Sequence, residues 1–236
     1  MIPIKDYPGE RRLYPWVMLS LIVLNVVVFG FEVLLQSDAA LDNLFKAAGV
    51  VPIEYSSGVE VGPPPPFGLT WTTLFTSMFL HGGLLHISSN MLYLFVFGDN
   101  VEDRLGHVRF LIFYFVCGIA AGLTHIAFNL GSPVPSVGAS GAIAGVLAAY
   151  LRLFPHAEVR TLLFLGPFIV VPRVQAVFLI VFWFVTQFLA GVLALGAQSQ
   201  QTEGVATWAH VGGFVAGFIL VQFFALPRRS VETVAR

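Results

Sequence analysis

Residues 13–31 have the sequence LYPWVMLSLIVLNVVVFGF, in which no side chain is charged. Since a membrane span needs about 20 mainly apolar residues, this stretch predicts a transmembrane helix. The whole chain has the same character, because 57% of its 236 residues are hydrophobic and 11% are charged. A water-soluble domain typically carries about 25% charged residues. The composition therefore excludes a soluble globular domain and predicts an integral membrane protein.

The charge and cysteine counts exclude several kinds of partner. A net charge of −1 offers no basic surface for nucleic acid, so we expect no nucleic-acid partner. The single cysteine, Cys117, excludes a disulfide framework and a multi-cysteine metal site. Polar side chains inside the apolar segments are therefore the first candidates for function.

Five further apolar segments complete a predicted bundle of six transmembrane helices. They are, in chain order, residues 84–101, 110–130, 137–153, 174–196 and 205–226. The long loop between helices one and two, residues 36–83, ends in an aromatic-rich part that favours the outer leaflet. We therefore predict an all-α membrane protein with six spans and a long, partly membrane-embedded outer loop.

The basic residues orient this bundle. With the N-terminus in the cytoplasm, all Lys and Arg residues except Lys46 lie on the cytoplasmic side. They are Lys5, Arg11, Arg12, Arg104, Arg109, Arg152, Arg160, Arg173, Arg228, Arg229 and Arg236. Because cytoplasmic loops are enriched in Lys and Arg, we expect a multi-pass protein of the plasma or inner membrane. We predict a cytoplasmic segment 1–12, a membrane domain 13–226 and a cytoplasmic tail 227–236.

Polar side chains recur where three of the predicted helices begin. They are His81, His86 and Asn90 at helix two, Ser140 at helix four and His210 at helix six. With the N-terminus inside, these three helices all begin on the outer side, so their polar residues share one depth. Polar groups within a membrane are costly and often mark functional sites. The pattern predicts a site that opens to the outer (periplasmic or extracellular) side.

Small residues predict how helices four and six meet. Two pairs of glycines are spaced four apart, Gly141 with Gly145 and Gly213 with Gly217. This small-xxx-small spacing permits close contact between membrane helices. The pair in helix six begins three residues after His210, on about the same helix face. Packing of the two pairs would bring Ser140 within reach of the His210 imidazole.

A serine beside a histidine has a defined chemistry. The hydroxyl becomes a nucleophile when a neutral imidazole takes its proton, and the free N–H groups at the start of a helix favour negative charge near Ser140. His86 and Asn90 share one face of helix two and can direct N–H groups at an oxyanion. No Asp or Glu is placed at this depth to orient His210, and Glu32, at the outer end of helix one, is expected to extend to the interface. We predict a Ser–His dyad.

These motifs resemble those of the rhomboid family of intramembrane serine proteases. The resemblance covers roughly residues 71–226. Its motifs are Gly138-Ala139-Ser140-Gly141, His86-xxx-Asn90 and Ala209-His210-xx-Gly213-xxx-Gly217. It implies that Ser140 is the nucleophile and His210 the base, and that His86, Asn90 and the Ser140 backbone N–H stabilise the oxyanion. It further implies secondary roles for His81, Gly138 and Gly141 near the site, with Gly145, Gly213 and Gly217 in helix packing.

The resemblance also implies a substrate and two differences. The expected reaction is hydrolysis of a peptide bond in a transmembrane segment of another protein, such as a single-span protein, in the lipid bilayer and without metal or organic cofactor. Where the family often has a Trp-Arg pair, Trp71 is followed by Thr72. Where many members place an aromatic residue against the histidine, four positions after the serine, this chain has Ala144. The residue that orients His210 therefore stays open.

Other functions stay open as well. A non-catalytic relative could bind membrane segments, although such relatives usually lack the Ser or the His. A transporter could use a polar site near the outer side, but transporters favour polar residues along a path through the membrane. A metal site built from His81, His86 and His210 is a further alternative.

Overall fold

The computed structural model describes residues 1–9, 12–35, 37–196 and 206–226. In chain order the elements are β1 (Ile2–Tyr7), α1 (Trp16–Leu34), α2 (Asp38–Ala48), α3 (Pro52–Ser57), α4 (Thr73–Thr76), α5 (Leu84–Leu105), α6 (His107–Phe128), α7 (Ser140–Leu153), β2 (Glu158–Leu165), β3 (Phe168–Val170), β4 (Arg173–Gln175), α8 (Ala176–Gly196) and α9 (Thr207–Phe224). Single 3-10 turns at Pro66–Gly68, Thr70–Thr72 and Ser77–Phe79 flank α4. The predicted tail 227–236 lies outside the described residues.

The long helices confirm a helical membrane protein. Within the described residues, α1, α6, α8 and α9 are long and apolar enough to cross a membrane. Helix α5 makes a fifth when it is joined to the helical turns of Thr70–Phe79, which meet it at a bend of 82°. Helix α7 is apolar but shorter. The chain therefore has four or five candidate spans by length and composition, and the count of six stays a prediction.

Helix α7 lies at the centre of the bundle, between α5, α6 and α9. Every residue from 141 to 150 is buried. The contact with α9 is made by backbone, because a methyl group on Gly213 would collide with the carbonyl of Gly141, and one on Gly217 with the backbone of Gly145. These glycines let the two helices approach more closely than any other residue would allow.

A small antiparallel sheet, absent from the all-α prediction, lies next to the ends of α7 and α8. Strand β2 pairs with β1, β3 and β4. Most of the apolar stretch 161–171 forms the β2–β3 hairpin. Gly166, with φ +60°, supplies the left-handed backbone of the turn. The sheet was missed because its strands are short and lie among strongly apolar helices.

Asp6 of β1 ties the sheet to the helical bundle. Its carboxylate accepts hydrogen bonds from Tyr150 Oη at 2.6 Å and from Asn100 Nδ2 at 2.8 Å. Burial raises the pKa of the Asp6 carboxyl to about 6, and the repulsion of Asp99 adds to this, while the two hydrogen bonds oppose it. The N-terminal strand is thereby fixed to both α5 and α7.

Glu102, near the end of α5, caps the first turn of α1. Its carboxylate accepts the backbone N–H groups of Val17 at 3.0 Å and Met18 at 2.7 Å, which have no partner within their own helix. The same carboxylate contacts Nδ1 of His107. The buried Glu102 carboxylate thus joins the start of α1 to the end of α5.

Candidate active site

Ser140 and His210 meet where α7 and α9 begin. Ser140 is the first residue of α7, and His210 lies in the first turn of α9. The Ser140 Oγ lies 2.7 Å from His210 Nε2. This distance follows from the glycine contact one turn further along the helices, since bulkier residues there would push α7 and α9 apart. The hydroxyl is therefore placed to donate its proton to the imidazole.

His86 and Asn90 face the same place from α5. A methyl group on Gly138 would lie 2.8 Å from Nε2 of His86 and 3.7 Å from Nδ2 of Asn90. Gly138 has φ +129°, a conformation that side chains rarely adopt, and its N–H donates to the Ser77 carbonyl at 2.8 Å. The absence of a side chain at Gly138 thus lets the two polar groups approach the start of α7.

A cavity of about 740 Å³ joins these groups. Ser140, His210, His86 and Asn90 all line it. Asn90 is only 6% exposed, and its Nδ2 has no hydrogen-bond partner within the described part of the chain. A buried N–H donor without a partner is costly unless a ligand completes it. Asn90 therefore carries a hydrogen-bond donor that is available to a bound group.

The structure places His81 beside this cluster but not in it. Its ring packs edge-on against that of His86, with 5.2 Å between centroids. Both of its ring nitrogens are buried and have no partner among the described residues. Its backbone N–H donates to the carboxylate of Glu32, at 3.1 Å to the nearer oxygen. Glu32 is 3% exposed, so the expectation that it extends to the interface was wrong.

The remaining predicted site residues surround the two reactive side chains. Gly141 packs against Ala121 of α6, and a methyl group on it would collide there. Gly145 packs against Cys117 in the same way, and Gly213 and Gly217 form the contact with α7 described above. These glycines therefore hold three helices together around the serine.

Two cavity residues on α8 were missed in the sequence. Gln187 Oε1 lies 2.8 Å from His210 Nδ1, and the ring of Trp183 lies 5.7 Å from the His210 ring, at 39° to it. Gln187 and Thr186 interrupt an otherwise apolar run of more than ten residues. A polar residue within a membrane helix often marks a functional site, and this is the signal that Gln187 carries in the sequence.

The cluster has nitrogen and oxygen groups but no grouping typical of a metal site. Across residues 1–9, 12–35, 37–196 and 206–226, no three His, Cys, Asp or Glu side chains come together in a way that could hold a metal ion. The arrangement instead pairs a hydroxyl with an imidazole and places N–H donors nearby, which suits acyl transfer.

Comparison with known proteins identifies the family. A family model described as the rhomboid domain matches residues 69–227, which include all of these site residues. The chain belongs to the rhomboid family. Rhomboid proteins are membrane proteins with several spans, and the family includes serine proteases that act on membrane-protein substrates within the bilayer. The similarity suggested by the sequence motifs is confirmed.

Individual rhomboid relatives are similar at moderate identity. RHOMBOID-like protein 1 of Arabidopsis thaliana is 25% identical over 231 residues, covering 90% of this chain and 54% of the relative. Rhomboid protease GluP of Bacillus subtilis (strain 168) is 30% identical over 158 residues, covering 67% of this chain and 27% of the relative. Rhomboid protein 1, mitochondrial, of Saccharomyces cerevisiae is 39% identical over 95 residues, or 39% of this chain and 27% of the relative. The chain spans about half the length of these relatives, or less.

Proposed function

We propose that this rhomboid protein is a serine endopeptidase that cleaves transmembrane segments of other membrane proteins, single-span proteins among them, by a Ser–His mechanism. One observation carries the proposal: the 2.7 Å contact between Ser140 Oγ and His210 Nε2, made inside a cavity within a membrane helix bundle. Because the curated relatives are longer than the part matched here, their activities serve only as analogy.

In the proposed mechanism, His210 Nε2 takes the hydroxyl proton while Ser140 Oγ attacks the carbonyl carbon of the scissile peptide bond. The imidazolium then gives that proton to the leaving nitrogen, and water releases the acyl group in a second, equivalent step. The reaction needs no group beyond these side chains and water.

Stabilisation of the oxyanion is assigned to groups around Gly138. Asn90 Nδ2 is a buried donor without a partner in the described chain, and His86 Nε2 lies beside the same glycine. The Ser140 backbone N–H belongs to the first turn of α7, where no intrahelical acceptor is available. Donors already fixed in place are worth about 10²- to 10³-fold in rate each. His81 is proposed to act indirectly, through its ring contact with His86.

The proposed topology has six spans, with both termini cytoplasmic and the cavity open to the outer side of a plasma or inner membrane. It is supported by the distribution of the basic residues, all of which except Lys46 lie in segments placed inside. Residues 13–226 would form the membrane domain, between cytoplasmic segments 1–12 and 227–236. Leu80 and His81, at the bend before α5, are buried, which fits a loop that packs against protein at membrane depth.

Cleavage of a single-span model protein by the purified, reconstituted chain tests the function. We expect Ser140→Ala and His210→Ala to abolish cleavage and to abolish labelling by a serine-reactive fluorophosphonate, because each removes one partner of the proton transfer. Ser88→Ala and His156→Ala, which change exposed residues, are matched controls and should keep both activities. Equal cleavage by Ser140→Ala and wild type would refute the proposal, and binding of the model protein without cleavage would favour a non-catalytic role.

A further inference from the structure

Both ring nitrogens of His210 have a partner. Nε2 lies 2.7 Å from Ser140 Oγ, and Nδ1 lies 2.8 Å from Gln187 Oε1. An amide oxygen can only accept a hydrogen bond. With Gln187 Oε1 as the acceptor, Nδ1 carries the proton and the lone pair on Nε2 faces the serine hydroxyl. This is the tautomer that a general base for Ser140 requires.

The side chains placed to orient the His210 ring come from α8. Ala144, one turn into α7, is fully buried and has only a methyl group. Trp183 lies one turn before Gln187 on the same face of α8, and its ring stands 5.7 Å from the imidazole. The tryptophan limits the tilt of the imidazole, but it cannot select a tautomer through its π face. The hydrogen bond to Gln187 can.

We propose that Gln187 is the positioning residue of this site: it selects the Nδ1–H tautomer of His210 and fixes the orientation of its ring. The proposal rests on the protease function proposed above. It adds a third member to the predicted dyad, contributed by a helix that carries neither the serine nor the histidine.

The position of α8 thereby becomes part of the catalytic arrangement. Ser140 and His210 lie on α7 and α9, which contact each other through backbone. Gln187 reaches His210 from α8, which packs on α9 through aromatic side chains. Phe184 stacks on Phe214 with centroids 4.3 Å apart, and Phe188 meets Trp208 edge-on at 6.3 Å. When α8 packs against α9, His210 is oriented as a base; when α8 moves away, the Nδ1 partner is lost.

Gln187→Met is the sharpest variant for testing this role. It keeps the length and flexibility of the side chain but removes the acceptor, whereas Gln187→Glu keeps an acceptor oxygen. Gln222→Met is the matched control, because Gln222 is an exposed residue of the neighbouring helix α9. The first measurement is the rate of fluorophosphonate labelling of Ser140. The second is the ¹⁵N spectrum of the histidine rings, in which His210 is assigned by comparison with His210→Asn.

We expect Gln187→Met to lower the labelling rate by about 10- to 100-fold, the usual effect of losing one hydrogen bond at a reacting group. Its unfolding temperature should stay near that of wild type, Gln187→Glu should recover most of the rate, and Gln222→Met should change nothing. The His210 signals should report the Nδ1–H tautomer in wild type and a mixture in Gln187→Met.

Three results would overturn the proposal: labelling of Gln187→Met at the wild-type rate, an unchanged Nδ1–H tautomer in that variant, or the Nε2–H tautomer in wild type. The last of these needs no change at Gln187, so a Gln187 variant that fails to fold does not block the test. Failure of the protease function looks different. In that case wild type is not labelled at all, while the ring spectrum still decides whether Gln187 sets the tautomer.

Discussion

Helices α7 and α8 each carry a side chain that contacts His210, Ser140 and Gln187 respectively. Helix α7 is buried, whereas α8 is largely exposed. Residues 141–150 of α7 are all buried, and the helix touches α9 through glycine backbone. Helix α8 is exposed along most of its length, with Phe182 55% and Leu193 73% exposed, and it meets α9 through aromatic rings. A helix with few buried side chains is expected to open more easily than one that is buried along its length. The nucleophile and base therefore lie on a fixed frame, and the positioning residue lies on a helix that is easier to displace.

The largest effect is expected when α7 and α9 are forced apart. Gly213→Val puts a branched side chain against the Gly141 carbonyl, so α7 and α9 must separate. We expect the fluorophosphonate labelling rate to fall by about 100-fold or more, because a displacement of about 1 Å at a reacting pair has this effect, and the unfolding temperature to fall too. Gly30→Val is the control, since nothing lies within 4 Å of a Cβ at Gly30. Wild-type labelling by Gly213→Val would contradict the close backbone contact.

A smaller effect is expected when the packing of α8 against α9 is weakened. Phe184→Ala removes the ring that stacks on Phe214. An aromatic pair is worth about 0.5–1.5 kcal/mol beyond its burial, so the labelling rate should fall by about 2- to 10-fold, with a smaller fall in unfolding temperature than in Gly213→Val.

Phe182→Ala removes an exposed ring of the same helix and should have no effect on labelling. If Phe184→Ala and Phe182→Ala labelled equally fast, the packing of α8 against α9 would not control the orientation of His210.

The smallest effect concerns the C-terminal end of α7, where Tyr150 donates a hydrogen bond to Asp6. Burial raises the pKa of Asp6 from its ordinary value of 3.8 to about 6. The folded chain then binds this proton more tightly than the unfolded chain, so the contribution to stability is full below about pH 3.8 and is lost as the pH rises through about 6. Asp6→Asn should remove this part of the pH dependence, as measured by unfolding temperature between pH 4 and pH 7 in detergent.

Asp103→Asn is a suitable control for this measurement, because Asp103 is a carboxylate at the same end of the bundle that binds exposed backbone N–H groups of Arg12 and Leu13. The same pH dependence in Asp6→Asn as in wild type would show that another group titrates there.

Much of this molecule could be predicted from local patterns. Apolar runs of about 20 residues predicted the membrane helices, and the spacing of Gly141, Gly145, Gly213 and Gly217 predicted the contact that the structure shows between α7 and α9. The sheet could not be predicted in this way, because the pairing of β1 with β2 joins residues more than 150 positions apart. Glu32 was misplaced for a related reason: its partner is a backbone N–H in a distant loop, and no side-chain pattern records that contact.

The sequence by itself determined that the chain is a membrane protein, and it predicted that a serine, two histidines and an asparagine share one depth. The cost of burying polar groups in lipid makes the few that remain informative. Tertiary structure decided what orients His210. A hydrogen bond between side chains on different helices depends on how those helices pack. Gln187 stands out as a polar residue of α8, but its place in the sequence does not say which side chain it meets. The hydrogen bond from His210 Nδ1 to Gln187 Oε1 depends on the packing of α8 beside α9, to which the stack of Phe184 on Phe214 contributes.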